Sequence, residues 1–252
     1  MTDRQVVIVT GSASGIGAAT ALLLARQGAA VLVNYVKSAA EAERVAGECR
    51  RAGGEALVVQ ADVAQDADCR RLAASAMDAW GRIDGLVNNA GTTKFVRMGD
   101  LAGLSAEDFH RIFSVNVIAA YQMVRACEAP LRAARGAVVN VSSIAGSMGI
   151  GSSMAYTASK GALNTLTLSL ARTLGPDVRV NAVLPGFTDT RWHREELGAG
   201  FERAREGYRT QSALRETLTA DDVAESIAAL LGARKITGQL LAVDAGRGIG
   251  PS

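Results

Sequence analysis

Tyr156 and Lys160 are four residues apart in Tyr156-Thr157-Ala158-Ser159-Lys160, which puts a phenol and an ammonium one turn apart on the same face of a helix. A free tyrosine titrates near ~10 and is a poor base at neutral pH. A lysine held beside it favours the phenolate and lowers that value, so Tyr156 reads as a proton donor and acceptor and Lys160 as its tuner. Ser143 closes Val141-Ser142-Ser143, and the loop from there to Tyr156 is short enough to bring a serine hydroxyl beside the phenol. Asn116 is a polar amide among apolar neighbours in Ser114-Val115-Asn116-Val117-Ile118. If buried it needs partners, and it is either a satisfied core residue or the anchor of a water chain.

A second group of residues suits phosphate chemistry. Thr10-Gly11-Ser12-Ala13-Ser14-Gly15-Ile16-Gly17 falls between a short β-branched run, Gln5 to Thr10, and helical periodicity from Ile16 to about Gln27. A turn of this kind presents a helix amino terminus to an anion, with Gly11 for the tight turn, Gly15 for close approach of a pyrophosphate and Gly17 for close packing of helix on strand. After the second strand the chain reads Asn34-Tyr35-Val36-Lys37-Ser38, with no acid before Glu41. A dinucleotide carrying a 2′-phosphate would meet no repulsion there, and Lys37 and Ser38 could bind it. NADP(H) is therefore expected over NAD(H), although Asn34 could bond a bare ribose and Lys37 could be a solvated surface residue. Asp62-Val63 either contacts an adenine edge or caps the helix that follows. Asn89-Ala90-Gly91 offers small residues where the backbone could reach the cofactor, and Asn88 could pin neighbouring strands.

The elements that must position these groups alternate. Val31 to Val33, Ala56 to Gln60 and Leu86-Val87 are apolar, strand-like runs, with helical patterns at about Ser38 to Arg51 and Gln65 to Trp80 between them. A long helix at about Ala106 to Ala134 precedes a strand at Ala137 to Val141, and another at about Met154 to Leu174 stops at Gly175-Pro176. Val178 to Val183, a helix opened by Thr219, and Leu240 to Val243 complete the order. Apolar, unalternating strands separated by helices imply an α/β fold of three layers, a doubly wound parallel sheet of seven strands with helices on both faces. The expected organisation is one domain over residues 1–252. The segment between Pro185 and Leu218, rich in charge and holding Trp192, His193, Phe201 and Tyr208, is either a substrate lid at about 186–218 or a surface insertion.

Composition narrows the classes. The chain has 252 residues, 48% hydrophobic and 21% charged, with a net charge of +2, so disorder is excluded and nucleic acid disfavoured. Cys49, Cys69 and Cys127 lack metal-ligand spacing and read as free thiols in a reducing compartment, and the longest apolar run is far too short for a membrane span. A cytoplasmic location and no metal are expected.

Taken together, Gly11 and its turn, Asn88-Asn89-Ala90-Gly91, Asn116, Ser143, Tyr156-x-x-x-Lys160, Pro185-Gly186 and Thr237-Gly238-Gln239 with Asp244 resemble the short-chain dehydrogenase/reductase family across nearly the whole chain. The layout is most similar to ketone or 3-oxoacyl reductases. The resemblance implies that Tyr156 exchanges a proton with a substrate oxygen that Ser143 also holds. It favours Ser143 over Ser142, and it gives the nicotinamide ribose to Lys160 and a water leading to solvent to Asn116. Pro185, Gly186 and Thr188 would lie against the nicotinamide. It also implies a homotetramer, or a homodimer, built on the helices of Asn116 and Tyr156, and Leu163, Leu166 and Leu170 are read as part of that interface. The rivals are an NAD-dependent secondary-alcohol or polyol dehydrogenase using the same residues, and a dinucleotide-sensing protein without catalysis. Two departures stand out: Asp244-Ala245-Gly246 where the family has Asp-Gly-Gly, and a segment from Gly91 to Asn116 longer than in many members.

Overall fold

In a computed structural model, residues 4–250 are described, so the ends of the expected 1–252 span, residues 1–3 and 251–252, lie outside the described residues. Seven parallel strands run in the order β3-β2-β1-β4-β5-β6-β7: β1 (Val6–Val9), β2 (Ala30–Tyr35), β3 (Glu55–Gln60), β4 (Gly85–Asn88), β5 (Ala137–Val141), β6 (Arg179–Pro185) and β7 (Leu240–Val243). The doubly wound sheet expected from the sequence is the fold. Its reason is visible in β1, where successive side chains alternate across the sheet. Val6 and Ile8 enter one core with α3 (Asp66–Trp80), α5 (Ala119–Ala134) and α7 (Met154–Leu174), the last preceded by the short α6 (Ala145–Met148). Val7 and Val9 enter the other, with α1 (Gly15–Arg26), α2 (Ala39–Arg51) and α10 (Ala220–Gly232). Both faces are covered, which is why the strands carry no polar alternation.

The sheet reverses its winding between β1 and β4, which pair with Ile8 opposite Leu86, and on its other edge β1 pairs with β2, Ile8 opposite Leu32. Ligands bind such sheets outside the carboxyl ends of the strands at this switch point. Buried amides tie the strands on that side. Asn88 Nδ2 donates to Asn140 Oδ1 at 2.9 Å, and Asn140 Nδ2 donates to Thr167 Oγ1 of α7 at 2.9 Å.

Three expectations change. The long helix from Ala106 to Ala134 is α4 (Ala106–Phe113) and α5 joined by a π-helical turn, Ser114–Ile118, centred on Asn116. One extra residue per turn redirects side chains there, and such bulges are frequent at functional sites. The stretch between β6 and α10 is also more regular than a loop: it forms α8 (Arg191–Leu197), a 3₁₀ turn (Gly198–Gly200) and α9 (Phe201–Thr210). Finally, the leucines read as an interface face inward. Leu163 and Leu170 are buried and Leu166 packs on the α7 side of the core, whereas Phe109, Ile118, Tyr121, Met154 and Leu168 are the large apolar groups exposed on α4, the π turn, α5 and α7. Among the described residues no helix is long and apolar enough to cross a membrane.

Candidate active site

The start of α7 fixes the phenol. Ser153 is its N-cap and its hydroxyl accepts from the Tyr156 backbone N–H at 3.3 Å, which sets Tyr156 in the first turn and Lys160 one turn on. Ser142 and Ser143 leave β5 in opposite directions. Ser142 is buried, its one hydroxyl hydrogen shared between Asn164 Oδ1 at 2.6 Å and the Lys160 carbonyl at 3.1 Å, and so locks α7 to the sheet. Ser143 lines the same cavity as Tyr156, its hydroxyl donating to the Pro185 carbonyl at 3.4 Å and accepting from Ala145 N at 3.1 Å, and its side chain lowers the phenol's pKa.

Electrostatics depart from the expected tuning. Burial pushes the Tyr156 phenol up to about 12, against a smaller lowering by the Ser143 side chain. Burial also brings the Lys160 ammonium down to about 8. The Lys160 Nζ stands 5.6 Å from the Tyr156 ring centroid and donates to the Val141 carbonyl at 2.8 Å. The lysine is thus near the phenol without bonding it, desolvation outweighs its field, and Tyr156 is a protonated acid at neutral pH. An ammonium has three donors, so Val141 leaves two for other partners.

Asn116 is buried with its amide engaged: Nδ2 donates to the Thr92 carbonyl at 3.0 Å and to Ser159 Oγ at 2.9 Å, and Oδ1 accepts from Thr92 N at 2.8 Å. Those bonds tie the segment after β4 to α7 through the π turn. Gly91 is packed between Asn116 and Lys160, a Cβ on it meeting Asn116 Oδ1 at 3.5 Å and Lys160 Nζ at 3.8 Å.

At the other end, the glycine turn is shaped as a cradle. Gly11 has φ +61° and a Cβ there would sit 3.0 Å from Ala90 Cα, while Gly15 has φ +56°. A Cβ on Gly17 would come within 2.5 Å of Asn89 Nδ2 and 2.8 Å of the Gly11 carbonyl, so the close packing expected of Gly17 is against the loop after β4 as well as its own turn. Asn89 Nδ2 in turn donates to the Thr10 carbonyl at 2.8 Å. The first turn of α1 has no acidic residue and its cap, Ser14, makes no side-chain bond to it, whereas α3, α4 and α10 each carry two acids in the first turn. That amino terminus is therefore free to receive an anion.

A cavity of about 1110 Å³ joins the two ends, lined by Gly11, Ser14, Gly15 and Ile16, by Asn89, Ala90 and Gly91, and by Ser143, Tyr156 and Lys160. This exceeds the ~300–1,000 Å³ of ordinary small-ligand pockets and leaves room for a dinucleotide and a substrate together. Asp62, Val63, Pro185, Gly186 and Thr188 also line it. Asp62 Oδ1 accepts from Ala64 N at 3.0 Å, so the carboxylate caps its turn.

The end of β2 differs from expectation. The Asn34 amide is not open to a ribose: its Oδ1 accepts from Gly11 N at 3.0 Å and its Nδ2 donates to the Ala61 carbonyl at 3.0 Å, clamping the glycine turn to the end of β3. Val36 lines the cavity, while Tyr35, Lys37 and Ser38 lie off its wall. Arg97, Lys160, Arg191 and Arg247 line it, and of these Arg191 reaches the start of α2, its guanidinium 3.6 Å from Glu41 in the first turn of that helix. Arg191 could not be found from local spacing, because α8 brings it across the cavity from the far end of the sheet.

The segment after β6 adds an aromatic chain. Phe187 stacks on His193 at 4.9 Å and lies near Phe201 and Tyr208. The His193 Nδ1 lies 2.9 Å from the Thr188 carbonyl, which fixes the proton on that nitrogen, and burial lowers the ring's pKa, so it is neutral. Tyr208 donates to the Asp244 carbonyl at 2.7 Å, fastening α9 to the end of β7.

Residues 11–247 match a family profile described as enoyl-(acyl carrier protein) reductase, one of the short-chain dehydrogenase/reductase profiles. A Streptomyces violaceoruber protein assigned as ketoacyl reductase 2 of the granaticin polyketide synthase is 44% identical over 245 residues, covering 97% of this chain and 96% of that one. A 3-oxoacyl-[acyl-carrier-protein] reductase of Synechocystis is 38% identical over 188 residues, 74% of this chain and 75% of its own. A crystal structure from Burkholderia xenovorans, assigned as a short-chain dehydrogenase/reductase, superposes with a TM-score of 0.91 at 40% identity, covering 99% of this chain and all of that one (100%).

Proposed function

Since this chain belongs to the short-chain dehydrogenase/reductase family, enzymes acting on carbonyl and alcohol groups, we propose that it interconverts a ketone or 3-oxoacyl compound and a secondary alcohol with NADP(H). The observation that carries this reading is the Tyr156 phenol, kept protonated by burial, sharing with Ser143 and Lys160 the cavity that begins at the glycine turn. A bound nicotinamide dinucleotide supplies the hydride at the carbonyl carbon.

The chain's own residues do the rest. Tyr156 gives its proton to the substrate oxygen in reduction and takes it back in oxidation. Ser143 donates to the same oxygen and holds charge as it develops there. Lys160 turns its remaining donors to ribose hydroxyls, and the backbone N–H groups at Ser14, Gly15 and Ile16 receive the pyrophosphate. Asn89, Ala90, Gly91, Pro185, Gly186 and Thr188 flank the dinucleotide, and Asp62 and Val63 border its adenine end. Asn116 acts as the clamp that sets Gly91 beside Lys160.

The preference for NADP(H) is supported by the end of β2: no carboxylate from Asn34 to Ser38 faces the cavity, and Arg191 adds a cation to its wall. We further read the chain as one domain, with 186–218 as a substrate lid, and as a homotetramer or homodimer joined through the exposed apolar groups Phe109, Ile118, Tyr121 and Leu168. Ketones, 3-oxoacyl thioesters and secondary alcohols run with both reduced and both oxidised dinucleotides test the function. Turnover of carbonyls with NADPH in preference to NADH is expected. Absence of turnover across the panel would end the catalytic reading, and equal use of NADH would end the cofactor assignment.

A further inference from the structure

Five of the eleven aromatic residues, Phe95, Tyr156, Phe187, Trp192 and Tyr208, line one cavity with Phe201 packed behind Phe187, and the six form ring contacts with one another or through His193. Phe187, Phe201 and Tyr208 are explained by packing, since they seat α9 against the segment after β6. Trp192 and Phe95 are not. Trp192 is still 39% exposed, on a helix, α8, that buries no residue. It has three ring neighbours: Phe95 in a T-shaped contact, centroids 6.0 Å apart at 69°; the Tyr156 ring 6.4 Å away; and His193 5.2 Å away.

Phe95 comes from a different part of the chain, the long segment after β4. That segment is not free to drift, because Val96 N donates to the Ser152 carbonyl at 2.8 Å and Thr93 Oγ1 pairs with Ser152 Oγ at 2.7 Å, just ahead of the Ser153 cap that positions Tyr156. Two separate insertions therefore deliver one ring each to the same corner beside the phenol. Two rings held near a right angle, as Trp192 and Phe95 are at 69°, suit a flat π-system, one ring stacking on its face and the other meeting its edge.

We propose that the substrate is a planar aromatic ketone, a fused-ring compound whose π-face lies on Trp192 and whose edge meets Phe95, with its carbonyl oxygen at Tyr156 and Ser143. This rests on the carbonyl-reductase reading and names its substrate class. Phe95 and Trp192 act as specificity residues: they bind the ring and leave the proton transfer to Tyr156.

The test compares 2-tetralone with trans-2-decalone, equal in carbon count and differing in the aromatic ring, with ethyl acetoacetate as a small aliphatic control. For the native enzyme kcat/KM should favour 2-tetralone by at least roughly tenfold, the scale that aromatic contacts contribute. In Trp192→Leu/Phe95→Leu, which keeps apolar bulk and removes the rings, that ratio should collapse toward unity, and Trp192→Leu alone should carry most of the change if the double variant folds poorly. A flat native ratio, or a ratio the variants leave intact, overturns the proposal. Reduction of ethyl acetoacetate alone overturns the substrate class and leaves the reductase reading standing. Inertness toward all three ketones with NADPH and NADH removes both.

Discussion

The Tyr208 hydroxyl occupies the place a Cβ on Gly186 would need, with the ring carbon Cζ only 2.8 Å from it. The same hydroxyl donates to the Asp244 carbonyl, so one contact holds α9, the turn after β6 and the end of β7 together. Gly186→Ala must push Tyr208 out and break that bond. Overpacking and a lost hydrogen bond together should cost about 2–4 kcal/mol. Thermal denaturation checks the loss, and a double-mutant cycle checks its cause: Tyr208→Phe should destabilise the Gly186→Ala protein less than the native one. Additive effects would show that the contact is not shared.

Tyr156→Phe keeps the ring and removes the proton. Turnover should fall by about 10³-fold or more, since the general acid is lost together with one of the two hydroxyls that meet the substrate oxygen. NADPH binding, read by calorimetry, should stay within about threefold, because the phenol is not among the groups that hold the phosphates. Ser143→Ala should lose about 10²-fold in kcat. A Tyr156→Phe enzyme retaining a tenth of native activity would remove the phenol from the mechanism.

Local chemistry explains what could be read ahead of the fold. The α7 boundaries were legible because Ser153 caps the helix and Pro176 ends it, and the α10 start because Thr219 and Asp222 form a capping box. The stop before Pro176 comes from the proline itself, as Gly175 has an ordinary φ of −64°. The glycine turn and the Ser143–Tyr156–Lys160 group were legible because their spacings are short-range. What was missed is long-range. Asn34 is consumed by Gly11 and Ala61, Arg191 crosses to Glu41, and Leu163 and Leu170 turn inward, none of which is written in the neighbouring residues. α8 and α9 were hidden because charges dominate both, leaving only Phe201 buried to mark a face.

Ala245 stands where the family has glycine, and its φ is +53°. The left-handed backbone costs a residue with a Cβ about 1–2 kcal/mol. It is held there because Asp244 accepts from Gly246 N at 2.9 Å and Gly248 N at 2.8 Å, and the Ala245 carbonyl accepts from Leu214 N at 3.0 Å. Ala245→Gly should release that strain, offset in part by the greater freedom of glycine when unfolded, for a net gain of about 0.5–1 kcal/mol. Calorimetry should show a rise of about 1–4 °C in Tm. A fall would mean that the alanine methyl contributes more by packing than its conformation costs.

Under the proposed use of NADP(H), Arg191 and Lys37 are the two candidates for the 2′-phosphate. Lys37 is exposed and off the cavity wall, while Arg191 lines it. Arg191→Gln should weaken NADPH binding by about tenfold or more, the value of one charge-assisted contact, and NADH binding much less. Lys37→Ala should change either affinity by less than about threefold, as expected for a solvated surface charge. Calorimetric titration of both dinucleotides separates the possibilities. Equal loss with NADH would assign Arg191 to the pyrophosphate, and no loss with either would leave it as the partner of Glu41.

Lys160 is buried among α7, β5 and Gly91, and it carries its charge at a cost. Its ammonium titrates near 8 in the folded protein against 10.5 for a free side chain, so between those values the unfolded chain binds more protons than the folded one. Stability from this group therefore rises with pH across that window, and below pH 8 the full penalty of burying the charge is present. A fall from 10.5 to about 8 corresponds to about 3 kcal/mol. Lys160→Met removes the charge, at the expense of the bond to the Val141 carbonyl and of turnover. Whatever the offset from that bond, the stability of Lys160→Met relative to the native protein should be greater at pH 7 than at pH 10, by about 1–3 kcal/mol. Urea denaturation at the two pH values measures the difference directly. In the native enzyme the same titration should make carbonyl reduction fall as pH rises through about 8, where the ammonium beside Tyr156 is lost. A stability difference independent of pH would mean that Lys160 keeps its proton through the window, and that its ammonium is stabilised by partners beyond Val141.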